Sequence, residues 1–275
     1  MKQEEDVKKE DPVVEKKGLI LPTVPQKPKA INIESLILYG LPKSGKTTAL
    51  SELPNCLIID VEKGSAFIEG MIVQPPENAG PVSKFKWLKE LAAEIKAQGK
   101  PYDYVAIDTL SQLDSDSEWV GTWAYMHSIQ GKKFNRNTNG EIMKPSDSDY
   151  ESVLTLANGY GYRYTREAIM DIFESLKGLG KICTIFVCHV ADKMISKGGT
   201  SEEVMVKDLA LVGKTRDILP RLVDATANVW NEEGQFMISF KGDNQRVGGV
   251  RAKHLLGYTG PLDWNKVFIK EDKQK

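Results

Sequence analysis

The chain has 275 residues, of which 41% are hydrophobic, and its 37 Lys and Arg residues nearly balance its 38 Asp and Glu residues. A chain of this length can bury well over half of its apolar surface on folding, so it needs no disulfide framework. The formal charge of −1 excludes a globally basic nucleic-acid coat but leaves room for a local basic groove.

The three cysteines and the lengths of the apolar runs indicate the cellular location of the protein. Cys56, Cys183 and Cys188 lie in or beside apolar runs and are predicted to be buried, reduced thiols. No apolar stretch approaches the roughly 18 residues of a membrane span. We therefore expect no membrane association and a cytoplasmic location.

Residues 1–30 are predicted to form a disordered or extended N-terminal tail. Eleven of the first seventeen residues are charged and of mixed sign, which is too polar to fold alone. Pro22, Pro25 and Pro28 follow at a spacing that favours an extended segment over a helix. One folded domain is predicted over residues 31–275.

From Ile31 onward, short apolar runs alternate with helical patterns, which is typical of parallel strands joined by helices. The predicted strands are Leu36–Tyr39, Cys56–Asp60, Tyr104–Asp108, Ile182–His189, Ala225–Trp230 and Phe236–Phe240. The predicted helices are Lys46–Leu53, Lys84–Ala97 and Arg166–Leu179. The pattern predicts an α/β fold, with a mainly parallel β-sheet flanked by helices.

A long insertion is predicted at residues 110–165, between Leu110 and Thr165. It is rich in Ser, Asp, Asn, Gly and aromatic residues, and it far exceeds the usual connection of about four to six residues. Segments of this length beside a ligand site often act as lids or binding surfaces. A helical decoration of the core is the alternative.

A phosphate-binding loop follows the first predicted strand. The residues Gly40, Leu41, Pro42, Lys43, Ser44, Gly45, Lys46 and Thr47 fit the pattern G-x-x-x-x-G-K-[ST], and Thr48 continues into the helix. Two glycines allow a tight turn whose backbone N–H groups point at phosphate oxygens. Lys46 is predicted to bridge the β- and γ-phosphates, and the Thr47 hydroxyl to hold Mg²⁺.

Acidic residues end two of the other strands. Asp108 ends the apolar strand Tyr104–Asp108 at the sheet edge where ligands collect, and it is the predicted Walker B ligand of the metal. Asp60 and Glu62 end the strand that begins at Cys56, and Glu62 is the predicted general base that activates water. The alternative is that Asp60 caps a turn and Glu62 is solvated.

His189 ends the strand Ile182–His189 and could sense the γ-phosphate by hydrogen bonding. A single histidine at a strand end is as readily a structural residue. Zinc binding is not indicated, because no second ligand pair stands at zinc spacing from Cys188 and His189.

With these motifs in this order, the chain resembles the RecA-like ATPases, and more closely a phage-type group of RecA-like nucleotide-binding proteins associated with single-strand annealing and recombination. The likeness runs from about Leu36 to Phe240 and opens with Tyr-Gly-x-Pro-Lys-x-Gly-Lys-Thr-Thr at Tyr39–Thr48. In that family the strand after the P-loop ends in Asp-x-Glu, whose Glu activates water, and Asp60-Val-Glu62 is similar. His189 stands where RecA-type proteins place Gln, which leaves open whether DNA binding and ATP state are coupled.

The resemblance implies a RecA-like P-loop NTPase core, ATP and Mg²⁺ as cofactors, a DNA-stimulated ATPase activity and single-stranded DNA as a partner. Met194–Val206, which is bounded by lysines, resembles the mobile second DNA loop of that fold, and a plain connection is the alternative. A homo-oligomer is also implied, in which Arg246, Arg251 or Lys253 completes the neighbour's site. A single-strand binding protein is a further candidate partner, and a phage-encoded chain would act in the host cytoplasm.

The segment Asn158–Tyr164 alternates tyrosines with glycine and arginine, a composition suited to stacking on bases while cations meet phosphate. The insertion adds the cations Lys132, Lys133 and Arg136. The tyrosines could equally pack the insertion onto the core.

Three functions are therefore weighed. The leading hypothesis is an ATP-hydrolysing protein that acts on single-stranded DNA in recombination or strand annealing. The alternative is a nucleotide-dependent assembly or regulatory module with slow or no hydrolysis, whose Trp119, Trp123 and Tyr125 bind a protein partner. A small-molecule kinase is disfavoured, because the insertion lacks paired arginines for a lid.

Overall fold

The computed structural model describes residues 23–25, 30–196, 203–242 and 246–269, and it does not describe the side chains of 193–196 and 203–206. The chain divides into two units, Met1–Ala30 and Ile31–Lys275, and every element below belongs to the second. The predicted N-terminal tail lies almost entirely outside the described residues.

The strands in chain order are β1 (Ser35–Gly40), β2 (Cys56–Asp60), β3 (Met71–Val73), β4 (Tyr104–Asp108), β5 (Cys183–Ser196), β6 (Glu203–Leu209), β7 (Ala225–Glu232), β8 (Gln235–Ser239), β9 (Gly249–Val250) and β10 (Thr259–Pro261). The α-helices are α1 (Lys46–Ser51), α2 (Pro81–Ala97), α3 (Leu110–Met126), α4 (Gly161–Leu176), α5 (Thr215–Leu222) and α6 (Trp264–Val267). No helix among the described residues is long and apolar enough to cross a membrane.

The sheet is mixed but mainly parallel, in the order β10-β8-β7-β1-β5-β4-β2-β3. The strands from β7 to β3 run parallel to one another, whereas β8 and β10 add an antiparallel edge. The predicted α/β fold with a mainly parallel sheet and flanking helices is therefore confirmed. Because β5 lies between β1 and β4, the carboxyl ends of these three strands meet at one edge.

Two apolar cores cover the two faces of this sheet. Alternate residues of a strand point to opposite faces, so Ile37 and Tyr39 of β1 pack in one core while Leu36 and Leu38 pack in the other. Helices α2, α3 and α4 supply the first core, and α1 and α6 supply the second. All six of the strands predicted from the sequence are present, because continuous apolar runs are typical of strands buried on both faces.

Two helices begin earlier than the sequence predicts. Helix α2 starts at Pro81 rather than Lys84, because proline at the first helical position has no amide hydrogen to leave unpaired. Helix α4 starts at Gly161 rather than Arg166, so the aromatic segment Asn158–Tyr164 enters its first turn. The sequence did not predict this start, because glycine and aromatic residues are not typical of the first turn of a helix.

The predicted insertion begins as a regular helix. Its first 17 residues form α3, whose buried face includes Asp114, Asp116 and Thr122 beside the apolar Leu113. Polar residues on the buried face interrupt the apolar period by which a helix is recognised in sequence. Residues 127–160 contain only two short 3₁₀ turns among the described elements, so the helical alternative describes the first part of the insertion better than a lid does.

The described part of Met194–Val206 forms strands and not the loop that the resemblance implies, while a DNA contact of this segment stays a prediction. β5 continues past His189 to Ser196 and pairs antiparallel with β6, from Val190–Leu209 to Ser196–Glu203. Residues 197–202 lie outside the described residues. The sequence did not predict this hairpin, because Ser196, Gly198 and Gly199 are typical of a loop. The alternation of apolar and polar residues that predicts strands occurs only on either side of them.

Candidate nucleotide site

The P-loop turns from β1 into α1 through two positions that exclude a side chain. A Cβ on Gly40 would lie 2.4 Å from the carbonyl oxygen of Val229. Gly45 has a φ of 82°, and a Cβ there would lie 2.2 Å from the ring of Phe236. The loop therefore needs glycine at both fixed positions of the motif, for conformation and for space.

Lys46 is buried within the loop, with 6% of the residue exposed. Its Nζ donates to the carbonyl oxygens of Leu41 at 2.7 Å and Gly40 at 3.1 Å. Burial lowers the pKa of the Lys46 ammonium, and the charges of Asp108 and Glu62 oppose that shift. The amine thus stands inside the loop with both carboxylates near it.

Thr47 and Asp108 form the oxygen pair expected of a metal site. The Thr47 hydroxyl donates to Asp108 Oδ2 at 2.6 Å, which joins the first turn of α1 to the end of β4. Burial raises the pKa of Asp108, while the hydrogen bond from Thr47 opposes the rise. Carboxylate and hydroxyl oxygens suit Mg²⁺, which keeps several waters and needs few protein ligands.

Asp60 does not face a substrate but organises the turn after β2. Its carboxylate accepts from the Ser65 hydroxyl at 2.6 Å, from the Ser65 amide at 3.0 Å and from Gln74 Nε2 at 2.8 Å. The amides of Glu62 and Gly64 also donate to it. Burial is the largest single influence and raises the pKa of Asp60, but these hydrogen bonds together lower it below its ordinary value. The turn-capping alternative therefore describes Asp60, which is no candidate for the base.

Glu62 is placed by this turn beside the ends of β4 and β5. Its Oε1 accepts hydrogen bonds from the Thr109 hydroxyl and from His189 Nε2, the latter at 3.1 Å, and its Oε2 lies 3.3 Å from the same nitrogen. The bond from His189 lowers the pKa of Glu62 most, burial opposes it, and Thr109 lowers it further. Glu62 is thus ionised at neutral pH, and it lines an open cleft of about 620 Å³. It is not simply solvated.

His189 reaches Glu62 from the last residue of β5 that pairs with β1. Its backbone amide donates to the Ser111 hydroxyl at 2.9 Å, and Ser111 Oγ also lies 3.2 Å from Cys188 Sγ. The ring Nδ1 is buried and has no hydrogen-bond partner among the described residues. A ring that binds a carboxylate on one side and has an unused nitrogen on the other can exchange partners.

The donor set fits a magnesium-bound nucleoside triphosphate. Two glycine positions keep the loop open to phosphate, a buried lysine supplies a cation, and Thr47 with Asp108 supplies hard oxygen ligands. Among the described residues, the buried Ser44 hydroxyl also has no hydrogen-bond partner. The structure brings Lys46, Thr47, Asp108, Glu62 and His189 to one edge, as the sequence predicts.

A larger cleft lies beyond this site, between the start of α4 and the segment 210–216. Its volume is about 790 Å³, and its floor is formed by Ser111, Asp114 and Ser117 of α3. Tyr160 and Tyr162 line it with 42% and 47% of their surface exposed. Its cations are Arg163, Arg166, Lys214 and Arg216.

The sequence indicates only one wall of this cleft. Tyr125 of α3 contacts the rings of Tyr160 and Tyr164, so this part of the aromatic segment packs on α3. Tyr160 and Tyr162 also line the cleft. Lys132, Lys133 and Arg136 of the insertion do not line it. The opposite wall at 210–216 has no sequence motif, because it is brought there by the hairpin β5–β6.

The three basic residues that could act in a neighbour's site differ in placement. The guanidinium carbon of Arg246 lies 5.6 Å from the centre of the Trp230 ring, and the backbone of Arg246 forms an isolated parallel β-bridge with that of Lys207, near the edge that carries the P-loop. Arg251 donates to Asp224 at 3.0 Å and to the Arg221 carbonyl, at the opposite edge. Lys253 is exposed in a 3₁₀ turn.

Thr109 and Ser111 are site residues that the sequence motifs did not identify. Thr109 caps α3 by accepting from the Gln112 amide, and Ser111 holds the backbone of His189. One signal could have revealed the first of them. Thr109-Leu-Ser-Gln112 has the spacing of a capping box and directly follows the Walker B aspartate.

Comparison with known proteins gives a family. No curated protein matches the chain. A similar solved structure is described as a prototypical ATPase from the type III secretion system of pathogenic bacteria, with 10% sequence identity and a TM-score of 0.37 over 71% of this chain and 52% of that chain. This chain thus spans about half the length of that ATPase, and a likeness so distant says nothing about activity or partners. Residues 34–253, well over half of the chain, match the family described as AAA domain, and the protein therefore belongs to this family of P-loop NTPases.

Proposed function

We propose that this chain is a RecA-like, phage-type ATPase that hydrolyses ATP while acting on single-stranded DNA in recombination or strand annealing. The observation that carries the hydrolytic part is the placement of Glu62. An ionised carboxylate, held between Thr109 and His189, stands at the same strand edge as Lys46, Thr47 and Asp108. An ionised carboxylate at this position suits a general base for the attacking water.

Each residue of the site has a different proposed role in phosphoryl transfer. Lys46 binds phosphate oxygens in place of its own loop carbonyls, and Thr47 with Asp108 holds Mg²⁺. Glu62 accepts a proton from the water that attacks the γ-phosphorus, and the bond from that phosphorus to the bridging oxygen breaks to release ADP. Mg²⁺ supplies neutralisation of the phosphate charge. The role we propose for His189 is to sense the γ-phosphate by hydrogen bonding.

The larger cleft supports the DNA part of the proposal. Outward tyrosine rings can stack on bases of any sequence, and arginine and lysine side chains can follow a phosphate backbone. Arg166 and Lys214 have no ion-pair partner among the described residues, whereas Arg163 pairs with Glu167 and Arg216 with Asp208. The cleft also borders Ala191, two residues beyond His189.

The test is ATP turnover with and without single-stranded oligonucleotide at low salt. We expect the oligonucleotide to raise turnover and duplex DNA of the same sequence to raise it less. Turnover indifferent to DNA, together with no oligonucleotide binding at low salt, would remove the recombination role and leave an ATPase of another kind. Low salt matters because phosphate contacts weaken steeply as ions are added.

A pair of matched variants locates the DNA contact. Arg166→Gln with Lys214→Gln removes two unpaired cations of the cleft, whereas Lys132→Gln with Lys133→Gln removes two exposed cations outside it. The first pair should weaken binding and lower the slope of log affinity against log salt by about 0.7 for each phosphate that is no longer neutralised. The second pair should bind as the wild type does. Equal effects would place the DNA elsewhere.

Oligomerisation is part of the same proposal. RecA-like ATPases complete each site with a cation from a neighbour, and Arg246, Arg251 and Lys253 are the candidates. Arg251 is already tied to Asp224 and to the Arg221 carbonyl within its own chain, which favours Arg246 or Lys253. A variant that lacks the acting residue should bind ATP, fail to hydrolyse it, and recover turnover when mixed with Lys46→Ala subunits.

One observation favours a second function, a regulatory module that binds a protein. Trp119 and Trp123 lie one turn apart on α3 with 38% and 46% of their surface exposed. Exposed tryptophans of this kind are frequent anchors of protein interfaces. Stoichiometric capture of one protein by the wild type but not by Trp119→Ala with Trp123→Ala, without any oligonucleotide binding, would support it. A single-strand binding protein is the partner to try first.

A further inference from the structure

Thr109 stands at the junction between the Walker B strand and α3, and only 1% of it is exposed. Its hydroxyl accepts a hydrogen bond from the Gln112 amide at 3.2 Å and donates one to Glu62 Oε1. A hydroxyl has one hydrogen to give. Because the amide of Gln112 brings its own hydrogen, the hydrogen of Thr109 is directed at the carboxylate.

The backbone fixes where this hydroxyl lies. Thr109 is the N-cap of α3, so its side chain is oriented by the first turn of a 17-residue helix. The amide of Val61 donates to the Asp108 carbonyl at 2.7 Å, so the chain after β2 remains paired with β4 one residue beyond the strand. Glu62 is therefore brought beside Thr109 by the sheet itself.

The two side-chain partners of Glu62 differ in how firmly they are held. The His189 side chain is 27% exposed. Thr109 is enclosed in the core and is tied to the helix through the Gln112 amide. The Glu62 side chain is 32% exposed on a turn, so a buried donor is what limits its freedom.

We propose that Thr109 is a positioning residue, which holds Glu62 so that one carboxylate oxygen faces the attacking water. The inference rests on the proposed function, since it takes Glu62 as the base. Oε1 is occupied by Thr109 and by the closer approach of His189, so Oε2 is the oxygen that receives the proton. If His189 turned away, Thr109 alone would keep the carboxylate in place.

The test uses two substitutions at this position in the full-length chain. Thr109→Val keeps the shape and removes the hydroxyl, and Thr109→Ser keeps the hydroxyl. We expect Thr109→Val to lower kcat by about 10- to 100-fold, the usual cost of a misplaced catalytic group, with KM for ATP nearly unchanged. Thr109→Ser should recover most of kcat, because serine is an equally good N-cap and donor.

A second background separates positioning from a purely structural role. If Thr109 acts through Glu62, then Thr109→Val added to Glu62→Gln should cause no further loss, because the base is already gone. If the valine lowers the residual turnover of Glu62→Gln by the same factor as it lowers that of the wild type, Thr109 does not act through Glu62 and the inference is wrong, whatever loss of the cap does to stability.

The remaining outcomes distinguish the inference from the proposed function. Glu62→Gln without activity, together with Thr109→Val as active as the wild type, would overturn the positioning role and leave Glu62 as the base. Glu62→Gln with wild-type turnover would overturn both, since no base would then stand at this position.

Discussion

The proposed chemistry depends on individual residues at the strand edge, and Lys46 offers the simplest test of the phosphate site. Lys46→Ala removes the cation that we expect to bind phosphate and also the buried stem of the side chain, so the response to Mg-ATP, and not stability itself, is the quantity to compare. Wild-type protein should be stabilised by Mg-ATP by about 2.7 kcal/mol when ATP is at one hundred times its Kd, and the variant should show no such shift. Thermal unfolding with and without Mg-ATP measures it.

The matched control for this experiment is Lys86→Ala, which removes a lysine from the exposed face of α2. It should unfold and respond to Mg-ATP as the wild type does. An unchanged ATP shift in Lys46→Ala would contradict the assignment of the phosphate site.

Asp60 is predicted to affect stability rather than turnover chemistry. Asp60→Asn should cost about 2 to 3 kcal/mol near neutral pH, because donors that now face a buried carboxylate would meet an amide. The pKa of Asp60 is lowered below its ordinary value of 3.8, so the folded state gains from its ionised form above that value. The gain is lost as pH falls through the lower pKa of the folded protein.

Urea unfolding at several pH values checks this prediction. The difference between wild type and Asp60→Asn should be constant from about pH 7 to about pH 5 and should shrink on acidification below the ordinary value. Glu69→Gln, an exposed substitution on the same segment, should show little difference at any pH. A gap that widens in acid would contradict the role of Asp60 in the turn.

For individual residues, the sequence predicted which residues form the site better than it predicted their hydrogen-bond partners. The P-loop and the two acidic strand ends follow from motifs with fixed spacing, so Lys46, Thr47, Asp108 and Glu62 could be named in advance. The hydrogen bonds that give Asp60 and Glu62 different roles could not be predicted. They depend on the turn that contains Ser65 and on Gln74, which directly follows β3. Their roles in catalysis remain predictions.

Among the elements, α3 and α4 meet at a point where only glycine fits. A Cβ on Gly121 of α3 would lie 2.8 Å from the Thr165 nitrogen and from the Tyr164 carbonyl carbon of α4. Gly121→Ala should therefore push the first turns of α4 outward, cost about 1 to 3 kcal/mol and weaken oligonucleotide binding in the cleft. Chemical unfolding and an oligonucleotide titration measure the two effects.

Gly249→Ala is the control, since a Cβ on Gly249 meets nothing within 4 Å. It should change neither stability nor oligonucleotide binding. If Gly121→Ala were as stable as this control, α3 and α4 would not pack as closely as these distances require.

The elements that the sequence missed share a physical cause. Helix α3 buries aspartates and a threonine beside its apolar residues, and the arms of the hairpin β5–β6 flank a glycine-rich stretch. In each case local composition indicated a loop while tertiary contacts determined a regular element. The central strands were predictable because burial on both faces demands continuous apolar runs.

For the whole molecule, the order of strands explains why one edge holds the site. β5 separates β1 from β4 and carries His189 between the P-loop and the Walker B aspartate, while β2 adds Glu62 from the far side of β4. The ends of β1, β2 and β4 thus meet His189 of β5 at one edge of the sheet. The fold class could be predicted from alternating strands and helices, but the strand order could not, because pairing between distant strands leaves no local pattern.

The same arrangement places the cleft and the nucleotide site on opposite ends of the first turns of α3. Thr109 contacts Glu62, and Asp114 accepts from the Val212 amide at 2.6 Å on the cleft wall. If both proposed sites bind their ligands, we expect occupancy of one to affect the other through this helix. A change of ATP turnover on addition of oligonucleotide would report such a coupling.

The most direct test of ATP hydrolysis at this edge is phosphate release by wild type and by Glu62→Gln, with ATP affinity measured on the same samples. The account predicts equal affinity and a turnover at least about 100-fold lower in the variant, the usual loss when a general base is removed. Equal turnover by the two proteins would contradict it.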